Sequence, residues 1–146
     1  MVGESQFIDA VARRTGLSWL GAVRATYAVL RTLGERLTAD QVDAVADELA
    51  PELGTVLKAS RHGEQFELHE LLQRVELRTG AHREPALDHV AAVGMTLGEA
   101  VSDEVLGPIR AELPPAIGFL LRPPTRRREE RADEALSLAE IFFSAH

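Results

Sequence analysis

Thr32-Leu33-Gly34-Glu35 returns unchanged as Thr96-Leu97-Gly98-Glu99, an offset of 98 − 34 = 64 positions. The same shift, without a gap, sets Thr15-Gly16 on Thr79-Gly80, Pro51 on Pro115, Gly54 on Gly118 and Leu57 on Leu121. Aligning 7–57 with 71–121 gives 16 identities in 51 positions, where chance supplies only a few. Most fall on apolar positions or on the glycines and prolines that end and open helices. The duplication therefore kept packing and chain geometry above all.

Apolar spacing outward from this echo is helical throughout. Phe7, Ile8, Val11 and Ala12 share one face of a first helix, with Ser5 as its expected N-cap and Gly16 as its stop. Ser18 caps a longer helix through about position 36, with Ala22, Val23, Tyr27, Leu30, Leu33 and Leu37 as its stripe. Thr38-Ala39-Asp40-Gln41 is a capping box, and Leu37 and Val42 form a hydrophobic staple around it. The third helix then carries Val42, Val45, Ala46 and Leu49, and Pro51 opens a short fourth with Leu53, Val56 and Leu57 inward. Residues 59–66 have no period and read as a connection.

The pattern restarts with Leu68, Leu71, Leu72 and Val75, closed by Thr79-Gly80, and continues with Ala86, Leu87, Val90, Val93, Leu97 and Val101. Pro85 falls in the first turn of that helix, where proline is tolerated. Val101 and Ser102 restate the staple and cap, but Gly107-Pro108 replaces Asp43-Ala44, so the seventh helix should kink or restart at Pro108. Beyond Leu121, Arg122-Pro123-Pro124-Thr125 reads as a stiff linker, and Leu136, Ala139, Phe142 and Phe143 recur at helical spacing. The expected fold is all-α: a single domain, 1–146, formed by a helical bundle of two tandem pseudo-symmetric four-helix repeats (5–58 and 66–121) plus a C-terminal linker and helix (122–146).

Composition excludes several chemistries. The chain has no cysteine, which removes disulfides, thiolate nucleophiles, cysteine-based zinc sites and iron–sulfur ligation. No basic leader and no run near the roughly 20 apolar residues of a membrane span is present, so a soluble, cytoplasmic protein is expected. Net charge is −7, from 23 acidic and 16 basic residues, which repels phosphate backbones unless a local patch reverses the field. Lys58 is the sole lysine and asparagine is absent, a codon bias that points to a GC-rich bacterial genome.

The candidate chemistry is sparse. Five histidines, His62, His69, His82, His89 and His146, fit no helix-borne metal motif and read as ordinary solvated side chains. Glu35 and Glu99 could face one another as a carboxylate pair, or each could contact an arginine or a backbone amide at a helix end. With no nucleophile or oxyanion donor nearby, no catalytic, cofactor-binding or metal residue is assigned and no cofactor is expected. The tail offers two partner surfaces. Leu136, Ala139, Phe142 and Phe143 can fold back on the core or dock on a protein partner or second subunit; Arg122, Arg126, Arg127, Arg128 and Arg131 form the alternative, a nucleic-acid-binding cluster. Glu129, Glu130, Asp133 and Glu134 interleave with those arginines and count against it. The reading is a non-enzymatic helical interaction or scaffold protein, with a nucleic-acid-associated regulator as the alternative and a ligand-binding cleft between repeats as a third class.

Phe7-Ile8-Asp9-Ala10-Val11-Ala12-Arg13-Arg14-Thr15-Gly16-Leu17-Ser18, the run Ala28 to Leu37, Glu48-Leu49-Ala50-Pro51-Glu52-Leu53 and the opening Phe66-Glu67-Leu68-His69-Glu70-Leu71-Leu72 together resemble a bacterial family, domain of unknown function 2267. The likeness covers roughly residues 5–121. It implies an all-helical, internally duplicated fold and carries over no biochemical activity. Gly21 and Gly107-Pro108 depart from the family's usual pattern.

Overall fold

The computed structural model describes residues 2–123, which form eight α-helices and, among the described residues, no strand. They are α1 (Glu4–Thr15), α2 (Trp19–Arg36), α3 (Ala39–Ala46), α4 (Pro51–Lys58), α5 (Leu68–Thr79), α6 (Arg83–Ala100), α7 (Asp103–Glu112) and α8 (Pro115–Leu120). α1 and α5 each have 12 residues, and α2 and α6 each have 18. The expected C-terminal helix lies outside the described residues.

The helix ends follow the local chemistry. Gly16 and Gly80 close α1 and α5 in the left-handed region, at φ 74° and 75°, where a side chain is strained. Ser18 Oγ accepts the amide of Gly21, and Thr38 and Gln41 complete a reciprocal capping box before α3. Pro51 and Pro115 open α4 and α8, where a missing amide hydrogen costs nothing.

At the centre, α1 packs against α2 and α6, α5 packs against α6 and α2, and α2 also meets α6. The α3–α4 hairpin lies on α2, α8 lies on α6, and α3 touches α7. Phe7, Ile8, Val11, Leu30 and Leu33 join Leu71, Val75, Val93 and Leu97 in one continuous buried cluster. Each such side chain contributes about 1.5–3 kcal/mol relative to exposure, so this shared core dominates the cohesion of the two halves.

Gly34, Gly94 and Gly98 permit the closest approaches, and the first and last belong to the echoed stretch. An added Cβ at Gly34 would overlap the carbonyl oxygen of Leu57, and one at Gly98 would overlap the backbone of Leu121 and Pro123. Glycine here lets α4 and the end of α8 lie directly on the long helices.

The structure corrects four local expectations. α1 begins at Glu4 with Gly3 as N-cap, and Gln6 Oε1 accepts from the Gly3 amide at 3.1 Å, so Ser5 is a first-turn residue and not the cap. Ser102 occupies the N-cap of α7, but its hydroxyl caps nothing there and donates instead to Glu48 at 3.0 Å. Leu87 is 40% exposed, and the inward face of α6 is carried by Ala86, Val90, Val93 and Leu97. α7 also runs through Pro108 as one helix, so it does not restart there. Gly107 has no Cβ to clash with the proline ring, exposed Pro108 faces solvent, and buried Leu106 and Ile109 hold both sides of the junction.

Candidate functional site

The echoed stretches meet the other half of the chain through arginine. Arg78 of α5 donates to Thr32 Oγ1 at 2.7 Å and to Glu35 at 2.6 Å. Arg14 of α1 donates to Thr96 Oγ1 at 2.8 Å and also to the Glu99 carboxylate. Arg14 and Arg78 are themselves 64 positions apart. Each threonine is buried and returns its own proton to the carbonyl four residues back, Ala28 or Ala92, which leaves its lone pairs for the guanidinium.

Glu35 and Glu99 are thus each held by an arginine and do not work as a mutual carboxylate pair. The hydrogen bond from Arg78 holds the Glu35 carboxyl below the ordinary range against the opposing effect of burial. A carboxylate so stabilised in its charged form is a poor general acid or base near neutrality.

A second exchange links the outer hairpins. Glu48 accepts from the Ser102 amide at 2.8 Å and from its hydroxyl, at the start of α7, while Gln41 Nε2, in the capping box of α3, donates to Glu112 at 2.7 Å. Glu48 and Glu112 are identical under the same shift of 64. Polar identities that had no local explanation are therefore contacts between the halves.

The correspondence breaks around Arg74. Its guanidinium lies 4.1 Å from the Phe66 ring centroid and pairs with Glu64 at 2.8 Å, Glu70 at 2.5 Å and Glu35 at 3.4 Å. Those carboxylates raise its pKa further above an already high value. Position 10, its counterpart, is alanine. The connection between the halves is fastened to the end of α2: Gly63 donates to the Leu37 carbonyl at 2.7 Å, Glu64 to that of Glu35 at 2.9 Å, and Arg36 Nε to that of Phe66 at 2.8 Å. His62 Nδ1 lies 2.6 Å from the Gly34 carbonyl, which identifies that nitrogen as the protonated one.

The other described histidines are dispersed. His69 Nδ1 lies 3.0 Å from Arg83, His82 is the N-cap of α6 without a side-chain cap bond, and burial lowers the pKa of His89. Among the described residues no three acidic or histidine side chains form a metal-sized group. His146 lies outside them.

Of the candidate site residues in the tail, Arg122 alone is described, with its guanidinium 5.8 Å from the Phe119 ring centroid. Arg126, Arg127, Arg128, Arg131, Leu136, Ala139, Phe142 and Phe143 lie outside the described residues. Sequence reading did not single out Trp19 and Leu20, which stand 50% and 61% exposed on the first turn of α2. The corresponding positions are Arg83 and Glu84, and Arg83 is tied to Glu76 and His69. A tryptophan-leucine pair where the other half has fastened charge is a signal that comparing the two halves residue by residue could have found.

A search of curated proteins found no match. No helix among the described residues is long and apolar enough to cross a membrane. The model of the family described as uncharacterized conserved protein (DUF2267) matches residues 4–120, and the chain belongs to that family.

Proposed function

We propose that this protein is a non-enzymatic helical interaction module, built as two pseudo-symmetric four-helix repeats with a C-terminal helix as an additional contact element. The observation that carries the reading is Trp19-Leu20. A half-exposed tryptophan beside an exposed leucine leaves apolar surface in water, and tryptophan is strongly enriched among residues that dominate protein interfaces. The paired position in the second half spends its side chain on an ion pair. Repeat-like elements that agree in packing and differ in exposed residues suit a rigid frame whose surface is specialised on one side.

Affinity capture tests this with three baits: the full chain, the Trp19→Ala/Leu20→Ala variant and a 1–123 truncation. The reading expects a protein retained by the full chain and lost from the double variant, with a blue shift of the single tryptophan's fluorescence when that purified partner is added. Equal capture by the full chain and the double variant would remove Trp19-Leu20 from the function. Loss on truncation alone would place the contact in the tail, which sedimentation of the full chain against 1–123 separates from self-association.

A further inference from the structure

A cleft of about 480 Å³ opens between α2, α4 and the end of α5. Its apolar surface comes from Val23, the Tyr27 ring and Val56, and its arginines are Arg24, Arg31 and Arg78. Arg24 and Arg31 lie seven residues apart on α2, hence on one face, and bracket Tyr27. Both are exposed, and neither makes an ion pair or hydrogen bond among the described residues. Arg78 is different: its charge is matched by Glu35.

Two guanidinium groups without a partner among the described residues therefore line an apolar hollow in a chain whose net charge is −7. This pairing of arginines belongs to one half alone. Positions 88 and 95, which correspond to 24 and 31, are Asp88 and Met95. Shared packing does not account for arginine at both places. Small-molecule sites typically have this makeup, a few hundred cubic ångströms of mostly apolar surface with a few convergent polar groups.

We propose that this cleft binds a small amphipathic anion, an acyl or aromatic carboxylate whose apolar body lies over Val23, Tyr27 and Val56. Its head group sits toward Arg31 and Arg78. Burial and then the charges of Glu4 and Glu52 raise the Tyr27 phenol pKa, and a carboxylate is disfavoured beside that hydroxyl. Arg31 supplies the fork that meets the carboxylate, with Arg78 behind it already fixed by Thr32 and Glu35. Arg24 adds longer-range attraction and covers apolar surface with its stem. Neither Trp19 nor Leu20 lines this cleft.

The test titrates decanoate into the full-length protein, with decan-1-ol and inorganic phosphate as separate probes, followed by calorimetry and amide chemical shifts. Saturable decanoate binding is expected, with shifts centred on Val23, Tyr27 and Val56 and an affinity at least about tenfold above those of decan-1-ol and phosphate. Arg31→Gln should weaken decanoate about tenfold, Arg24→Gln/Arg31→Gln should weaken it further, and Arg61→Gln, outside the cleft, should leave it unchanged. Because Arg24 and Arg31 are exposed and unpaired among the described residues, these variants should keep the wild-type melting temperature. Absence of saturable binding, equal affinity for the alcohol or for phosphate, or wild-type decanoate affinity in the double variant would each overturn the proposal.

Discussion

Replacing Gly34 by alanine tests the reasoning about the echoed stretch most directly. In a helix interior this change ordinarily stabilises by about 1 kcal/mol, because glycine carries the greater conformational entropy in the unfolded chain. Here the new methyl would overlap the Leu57 carbonyl oxygen, which is backbone and cannot rotate away. Relief requires α4 to shift from α2, disturbing buried Leu53 and Leu57, and overpacking of this kind costs about 1–3 kcal/mol, occasionally more. Taking the upper part of that range, because the obstacle is main chain, and subtracting the propensity gain leaves a net loss of about 2 kcal/mol. Gly54 is the internal control. It is also helical, but its added Cβ would meet Ala46 at an ordinary 3.4 Å, so Gly54→Ala should be neutral or stabilise by up to about 1 kcal/mol. Urea unfolding followed by helical circular dichroism measures both, and about 3 °C of melting temperature should accompany each kcal/mol. A Gly34→Ala protein as stable as wild type, or a Gly54→Ala protein equally damaged, would refute the close-approach argument.

Three further outcomes are expected. Glu35→Gln should destabilise by about 1 kcal/mol near neutrality, a figure discounted for partial solvent screening, since Arg74 and Arg78 lose a charged partner. Because the folded state lowers the Glu35 pKa, its contribution is present above the unfolded carboxyl value and disappears as pH falls through the folded one. Stability curves for wild type and Glu35→Gln should accordingly converge in acid, and parallel curves would contradict the ion pair. Pro108→Ala should stabilise by about 1–3 kcal/mol by restoring a donor to the Glu104 carbonyl in an unbroken α7; a loss measured by thermal unfolding would mean that proline is needed there. Thr38→Ala should cost about 1 kcal/mol through loss of the cap bond to the Gln41 amide, with unchanged stability as the refuting result.

Much of the helical order was legible because its determinants are local. Gly16, Gly80, Ser18, Thr38, Pro51 and Pro115 mark boundaries through backbone conformation or short-range hydrogen bonds, which neighbouring residues suffice to dictate. The failures were equally physical. Ser102 looked like a cap because its distant partner Glu48 is invisible in a local window. Pro108 looked like a break because the pull of buried Leu106 and Ile109 on either side comes from tertiary packing. Leu87 fitted the helical period but sits near the edge of its stripe, where the neighbouring helices decide exposure.

The sequence by itself determined that this chain is helical, that positions 64 apart correspond, and that Thr32-Leu33-Gly34-Glu35 recurs at the end of a long helix. Only the tertiary structure decided the task of each echoed residue. Leu33 joins the core, Gly34 admits the Leu57 carbonyl, and Thr32 and Glu35 receive Arg78 from the other half. Tertiary structure also gathered Arg24, Arg31 and Arg78 around one apolar cleft. Helix periodicity and capping act over a few residues and can be read along the chain. A guanidinium meeting a threonine 46 positions away depends on how two helices cross, and no local pattern encodes that crossing.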